Sequence, residues 1–123
     1  MNKYRDKSDF ELNLAVAHRL GYKPSLSGNI VTIKQEVKHG CIVYSENFTP
    51  CNNPADAMPI VIENGITVAY DKLYDTWCAH VGSVMDDCGW NYSIEPVISY
   101  CGDNYYRAAM ICFLMMKDAE NEK

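Results

Sequence analysis

The sequence predicts an α+β fold, a mainly antiparallel sheet of four to five strands with helices on both faces, arranged as an α/β/α sandwich. Three segments combine helix-capping residues with apolar residues at helical spacing, at about 9–20, 54–63 and 104–120. Four segments rich in β-branched residues lie between them, at 30–36, 40–45, 66–70 and 76–81. The strands come in pairs joined by short turns, so the order α-β-β-α-β-β-α favours hairpins and antiparallel pairing.

The composition describes a single domain spanning residues 1–123, because 123 residues at 48% hydrophobic can bury a substantial core. A net charge of −5 repels phosphate backbones, so direct nucleic-acid binding is not expected. Residues 1–13 lack the apolar core of a signal peptide, which predicts a cytoplasmic protein. The six cysteines include no C-x₂-C pair, so we expect free thiols and neither a metal site nor a cofactor.

Two helices carry clear start and stop signals. Ser8 and Glu11 fit a capping box at the start of the first helix. The motif CNNPADAMPIVIENGITV places Asn53 as the N-cap of the middle helix and Gly65 just beyond its end. Pro59 removes a backbone donor within that helix, which predicts a kink or a late helix start.

The last helix is predicted to be capped by Asp103 and to begin at Asn104. Its residues 108–116 are nine consecutive apolar side chains, about half the length of a membrane span. A helix that is apolar on all sides must be covered on more than one side. Either the first helix packs beside it over the sheet, or a second subunit covers it in a homodimer.

Residues 82–102 give weak signals. Gly82, Gly89 and Asn91 are typical of loops, and Ile94–Ile98 around Pro96 could form a short edge strand. The sequence does not assign this segment further.

The predicted ligand-binding residues are Asn52, Asn53, Trp77 and Arg107. A helix start offers free N–H groups and a partial positive charge, which suits a phosphate or a carboxylate. Asn52 and Asn53 add amides at the middle helix, Arg107 lies one turn into the last helix, and Trp77 could supply a stacking face. If these elements converge, they form a pocket for a small anionic ligand. Capping by Asn53 and pairing of Arg107 with a carboxylate explain the same residues without a ligand.

Catalytic signatures are weak. The chain has no phosphate-binding loop, no dinucleotide fingerprint and no zinc-protease or nucleophile-elbow motif. Cys78 and His80 share one side of a predicted strand and are the best candidates for covalent catalysis. Four acids could meet at a Mg²⁺ or Ca²⁺ ion, but they lack the spacing of an EF-hand, and solvated loop acids are the favoured interpretation: Asp71, Asp75, Asp86 and Asp87.

Several stretches resemble the NinX family of tailed-phage and prophage proteins. They are SDFELN, CNNPADAMPIVIENGITV, the strand containing Trp77, and RAAMICFLMMKD, which together span most of the chain. Residues 104–107 read Asn-Tyr-Tyr-Arg where the family pattern has Asn-Pro-Leu-Arg, which weakens any role assigned to the first turn of the last helix. The resemblance implies a phage or prophage origin, action in the bacterial cytoplasm and an α/β/α sandwich, and it brings no catalytic residues.

These observations lead to one functional expectation and two alternatives. We expect a phage accessory protein that is a non-enzymatic module and binds a small anionic ligand or a host protein. One alternative is a protein–protein interaction or dimerisation module that uses the apolar last helix. The other is a small enzyme that uses Cys78 and His80.

Overall fold

The computed structural model describes residues 3–28, 30–36, 42–45, 47–82, 84–85, 92–94 and 98–121. Its three helices are α1 (Asp9–Arg19), α2 (Pro54–Glu63) and α3 (Tyr105–Asn121). Its strands are β1 (Ser25–Ser27), β2 (Ile30–Glu36), β3 (Ile42–Ser45), β4 (Thr67–Asp71), β5 (Thr76–Val81), β6 (Val84–Met85), β7 (Tyr92–Ile94) and β8 (Ile98–Gly102). The α+β class and the approximate order of elements are therefore confirmed.

Helix α1 begins and ends where its capping residues predict. The Ser8 hydroxyl accepts a hydrogen bond from the Glu11 N–H at 3.1 Å and donates to the Glu11 carboxylate at 3.3 Å. At the other end, Gly21 has a φ of +84° and the Tyr22 N–H donates to the Ala17 carbonyl. This is a Schellman motif, whose left-handed residue glycine adopts at little cost.

Helix α2 also begins after an N-cap residue and ends before a left-handed glycine. The Asn53 side chain accepts from the Ala55 N–H at 3.0 Å, and Pro54 occupies the first turn. Gly65, with a φ of +65°, closes the helix as the Ile66 N–H donates to the Val61 carbonyl. The late start considered because of Pro59 does not occur, since the helix begins at Pro54 and continues through Pro59 to Glu63.

Helix α3 begins one residue later than predicted. The Asn104 side chain, and not that of Asp103, accepts from the N–H groups of Tyr106 at 2.9 Å and Arg107 at 3.0 Å. Asparagine and aspartate are comparable N-caps, so the sequence alone could not choose between neighbours.

The described strands form three antiparallel sheets, with the orders β1-β2-β3, β4-β5-β8 and β6-β7. The predicted hairpin over residues 66–81 is confirmed as the β4–β5 pair, in which Tyr70 lies opposite Trp77. Strand β8 was not predicted; it pairs with β5 so that Cys78 lies opposite Cys101. The strand expected at Ile94–Ile98 falls partly outside the described residues, because 95–97 are not described. The segment 25–27 is an exposed edge strand that pairs with β2.

Helix α3 lies at the centre of the packing. It contacts β4, β5 and β8 and also both α1 and α2. The side chains of Ala108–Leu114 are fully buried within the chain. Helix α2 reaches α3 directly, in addition to the contacts of α3 with the strands. Helix α1 packs beside α3, as the first of the two predicted coverings requires.

The residues before α1 are fixed to the end of α3 through Asp118. The Tyr4 hydroxyl donates to the Asp118 carboxylate at 2.5 Å, and Arg19 and Lys3 form salt bridges with it. Burial raises the pKa of Asp118, but the hydrogen bonds from Tyr4 and Lys3 outweigh it and hold this pKa below its ordinary value. The N-terminal segment is therefore held against α3, where it forms part of the site described next. Over the described residues, no helix combines the length and apolar character that crossing a membrane would require.

Candidate functional site

The starts of all three helices meet at the carboxylate of Asp9. Arg107, in the first turn of α3, donates to Asp9 Oδ1 at 2.6 Å. Asn52, which precedes α2, donates to Asp9 Oδ2 at 3.2 Å. The structure therefore brings together two of the predicted ligand-binding residues, although a carboxylate of the chain itself lies between them.

Arg107 also holds the segment that precedes α1. Its Nη2 donates to the backbone carbonyls of Arg5 at 3.1 Å and Lys7 at 2.6 Å. The side chain is only 22% exposed. A guanidinium has five N–H donors, and the hydrogen bonds to described residues use three of them. Arg107 is thus held by three hydrogen bonds, and the contacts with described residues leave two of its donors unused.

Asn53 is the N-cap of α2. Its side-chain oxygen caps Ala55, and its amide donates to Asp56 Oδ2 at 3.3 Å. The same Asp56 oxygen accepts from the Thr49 N–H. A buried hydrogen bond from the Cys51 N–H to Asn13 Oδ1, 3.0 Å long, joins this turn to α1. Capping therefore accounts for Asn53 in full.

Trp77 lies beside the start of α3 within a chain of aromatic rings. Its ring centroid is 5.3 Å from that of Tyr105, the first residue of α3, and 5.0 Å from that of Tyr70 on β4. Tyr105 in turn contacts Tyr106 edge to face. These are the tilted and edge-to-face geometries that aromatic pairs prefer, so the indole packs β5 onto α3.

A cavity of about 400 Å³ opens at the N-terminus of α3. Arg107 is the one predicted site residue in its wall; Asn52, Asn53 and Trp77 lie outside the lining. The other walls come from the N-terminal segment, the end of β8 and the turn before α3, and include Arg5, Asp6, Tyr100, Cys101, Asp103 and Asn104.

Most residues of the cavity wall were not predicted from the sequence, because long-range contacts bring them together. Arg5 lies in a segment with no motif, and contacts with distant residues of α3, Arg107 among them, carry it to the cavity. Cys101 belongs to β8, a strand of only five residues at the end of a segment with weak sequence signals. The adjacency of Cys101 to Arg107 depends on pairing with β5, a long-range contact.

The alternative catalytic residues do not form an activated pair. The Cys78 sulfur lies 2.6 Å from the Cys101 sulfur, and His80 is buried. Burial, followed by the hydrogen bond to Cys101, raises the pKa of Cys78 to about 11. Burial lowers the pKa of His80. A nucleophilic cysteine needs a lowered pKa, so these surroundings favour an unreactive thiol over a catalytic one.

Two of the candidate cation ligands, Asp71 and Asp75, accept hydrogen bonds within the β4–β5 turn. Asp71 Oδ1 accepts from the N–H groups of Leu73 and Tyr74, at 3.0 and 3.3 Å, and Asp75 accepts from the Tyr70 hydroxyl. Asp86 and Asp87 lie outside the described residues. Within the described part of the chain, no three His, Cys, Asp or Glu side chains cluster closely enough to hold a metal ion.

Comparison with known proteins gives one match. The family model described as Bacteriophage P22, NinX matches residues 3–117 of the 123. No curated protein and no solved structure matches the chain. The matched region includes all three helix starts and the whole cavity wall. The chain therefore belongs to the NinX family of bacteriophage P22, a family of phage accessory proteins.

Proposed function

We propose that this protein is a non-enzymatic module that binds a small anionic ligand in the cavity at the start of α3. The observation that carries the proposal is the position of Arg107, which is held rigidly in the wall of a 400 Å³ cavity with two N–H donors remaining among the described contacts. That volume falls within the roughly 300–1,000 Å³ of small-molecule sites.

The charged groups around the cavity support the binding of an anion. Arg5 and Arg107 face Asp6 and Asp103 across it, so the formal charges cancel. Both aspartates are exposed to solvent, where their field is strongly screened, whereas Arg107 is largely buried. The N-terminus of α3 adds a partial positive charge. Asp9 neutralises part of the Arg107 charge, but the described contacts leave two of the guanidinium N–H donors for an anion to accept from.

Thermal-shift measurements with inorganic phosphate, mononucleotides and cyclic nucleotides test the proposal. A ligand that binds only the folded chain raises its stability by about 2.7 kcal/mol at one hundred times its dissociation constant. We expect a shift with at least one of these anions. If none shifts the melting temperature at millimolar concentration, the proposal is refuted.

Arg5→Ala tests most directly whether the anion binds in this cavity, because Arg5 lines it. The Arg5 side chain is exposed, and its backbone carbonyl, which Arg107 uses, survives the substitution. We expect about tenfold weaker binding, because a hydrogen bond to a charged group contributes roughly 1.5–3 kcal/mol. Lys72→Ala, which removes the same charge from an exposed residue outside the cavity lining, should leave affinity unchanged. Equal affinities in both variants would contradict this site.

A host protein is the second candidate partner, and the β4–β5 turn supports it. Leu73 is 82% exposed and Tyr74 is 75% exposed, so two large apolar side chains stand next to each other in solvent. Adjacent exposed residues of this kind are typical of interaction surfaces.

The test is a pull-down from host-bacterium extract with the tagged full chain. A partner lost with the double substitution Leu73→Ser and Tyr74→Ser, but kept with Ile62→Ser, would support this surface. Ile62 is a suitable control because it is 73% exposed on α2. A partner captured equally by all three chains, or no partner at all, would argue against it.

A further inference from the structure

The two sulfur atoms of Cys78 and Cys101 lie in direct contact on the β5–β8 pair. They are 2.6 Å apart, and the two residues are exact partners in the antiparallel register. Directly opposed Cα atoms in such a ladder are about 4.5–5.5 Å apart, which lies within the roughly 4.4–6.8 Å that a disulfide spans. Both cysteines are free thiols here.

From this geometry we infer that Cys78 and Cys101 form a reversible thiol–disulfide site that is oxidised by low-molecular-weight disulfides. The backbone already holds the two residues at bridging distance, so closure needs only small rotations of the side chains. Cys101 is exposed and gives the small disulfide access, while Cys78 is half-buried behind it. The inference does not depend on the anionic ligand proposed above.

The reaction takes two exchange steps. The Cys101 thiolate attacks one sulfur of the small disulfide, the S–S bond of that molecule breaks, and one small thiolate leaves. The Cys78 thiolate then attacks the Cys101 sulfur, the Cys78–Cys101 bond forms, and the second small thiolate leaves. Two protein thiols are oxidised, one small disulfide is reduced to two thiols, and the two protons released by the cysteines pass to the leaving thiolates.

The surroundings restrict oxidation to this pair among the described cysteines. Cys51 and Cys112 are fully buried, and burial raises the pKa of each to about 12. The pKa of Cys78, raised to about 11, makes the second step slow at neutral pH. Its rate should therefore rise about tenfold for each pH unit between 7 and 9, since only the thiolate attacks.

The test incubates the reduced full chain with glutathione disulfide, blocks the remaining thiols and maps the peptides by mass spectrometry. We expect a cross-linked peptide joining Cys78 to Cys101, the loss of two thiols per chain, and reversal by a dithiol reductant. Cys88→Ser should retain this cross-link. A chain whose Cys78 and Cys101 remain reduced, or one in which either cysteine links elsewhere, would overturn the inference.

Cys78→Ala and Cys101→Ser separate the two steps, with far-UV circular dichroism confirming that each variant folds. In Cys78→Ala, the mixed disulfide of Cys101 with glutathione should persist, because no second thiol resolves it. At about pH 9, where more of Cys78 is thiolate, it should be at least about tenfold less abundant in the wild type, since ring closure is intramolecular. Equal amounts of mixed disulfide in the two chains would also overturn the inference.

Discussion

Ile111→Ala is expected to lower the free energy of unfolding by about 3 to 4 kcal/mol. Ile111 is fully buried in α3, the helix that contacts a sheet and both other helices. Removing its side chain loses the transfer free energy of the apolar atoms and leaves a cavity that the surrounding elements cannot close. Urea unfolding followed by circular dichroism measures the loss.

Ile62→Ala is the matched control, because it makes the same chemical change on another helix. Ile62 is 73% exposed on α2, so its truncation should cost less than about 0.5 kcal/mol. The unfolding midpoint should also be independent of protein concentration, because α3 is covered by its own chain. A midpoint that rises with concentration, or equal losses in the two variants, would contradict the packing described here.

Arg107→Ala is expected to cost about 2 to 3 kcal/mol. The substitution removes the salt bridge to Asp9 and leaves the carbonyls of Arg5 and Lys7 without this donor. Hydrogen bonds to charged groups contribute more than neutral ones, and an unpaired acceptor adds its desolvation cost. Trypsin should also cleave faster after Arg5 and Lys7, because Arg107 no longer anchors that segment to α3.

Arg19→Ala provides the comparison for Arg107. Arg19 is more exposed and, among the described residues, pairs only with Asp118, which keeps Tyr4 and Lys3 as partners. Its loss should cost no more than about 1 kcal/mol. Arg107→Lys should not rescue the stability, since an ammonium cannot donate to a carboxylate and two separate carbonyls in the fork geometry of a guanidinium. Unchanged unfolding and unchanged cleavage in Arg107→Ala would show that this anchor has no energetic role.

The helix starts and stops could be predicted because their causes are local. Ser8, Asn53, Gly21 and Gly65 act on backbone groups within a few residues of themselves, so the printed sequence contains both partners of each interaction. The β4–β5 hairpin was predictable for the same reason, since its two strands are joined by a short turn. The position of Pro59 was less informative, because the helix continues through it.

The candidate site was predictable only in part. Arg107 was identified as a cation near a helix start, and the structure places it in the cavity wall. Asn52 and Trp77 were predicted to face a ligand, but they contact Asp9 and Tyr105 respectively. Asp9 is 98 residues from Arg107 along the chain, and no periodicity or spacing relates two such positions.

The sequence by itself determined the class of the fold, the ends of its first two helices and its family, because capping groups, apolar spacing and long motifs are properties of neighbouring residues. Only the tertiary structure decided that β8 pairs with β5, that α3 is the buried centre, and that two cysteines meet across a ladder. Those features arise from contacts between distant segments. Their free energy depends on which surfaces are removed from water together, and that is settled only when the whole chain packs.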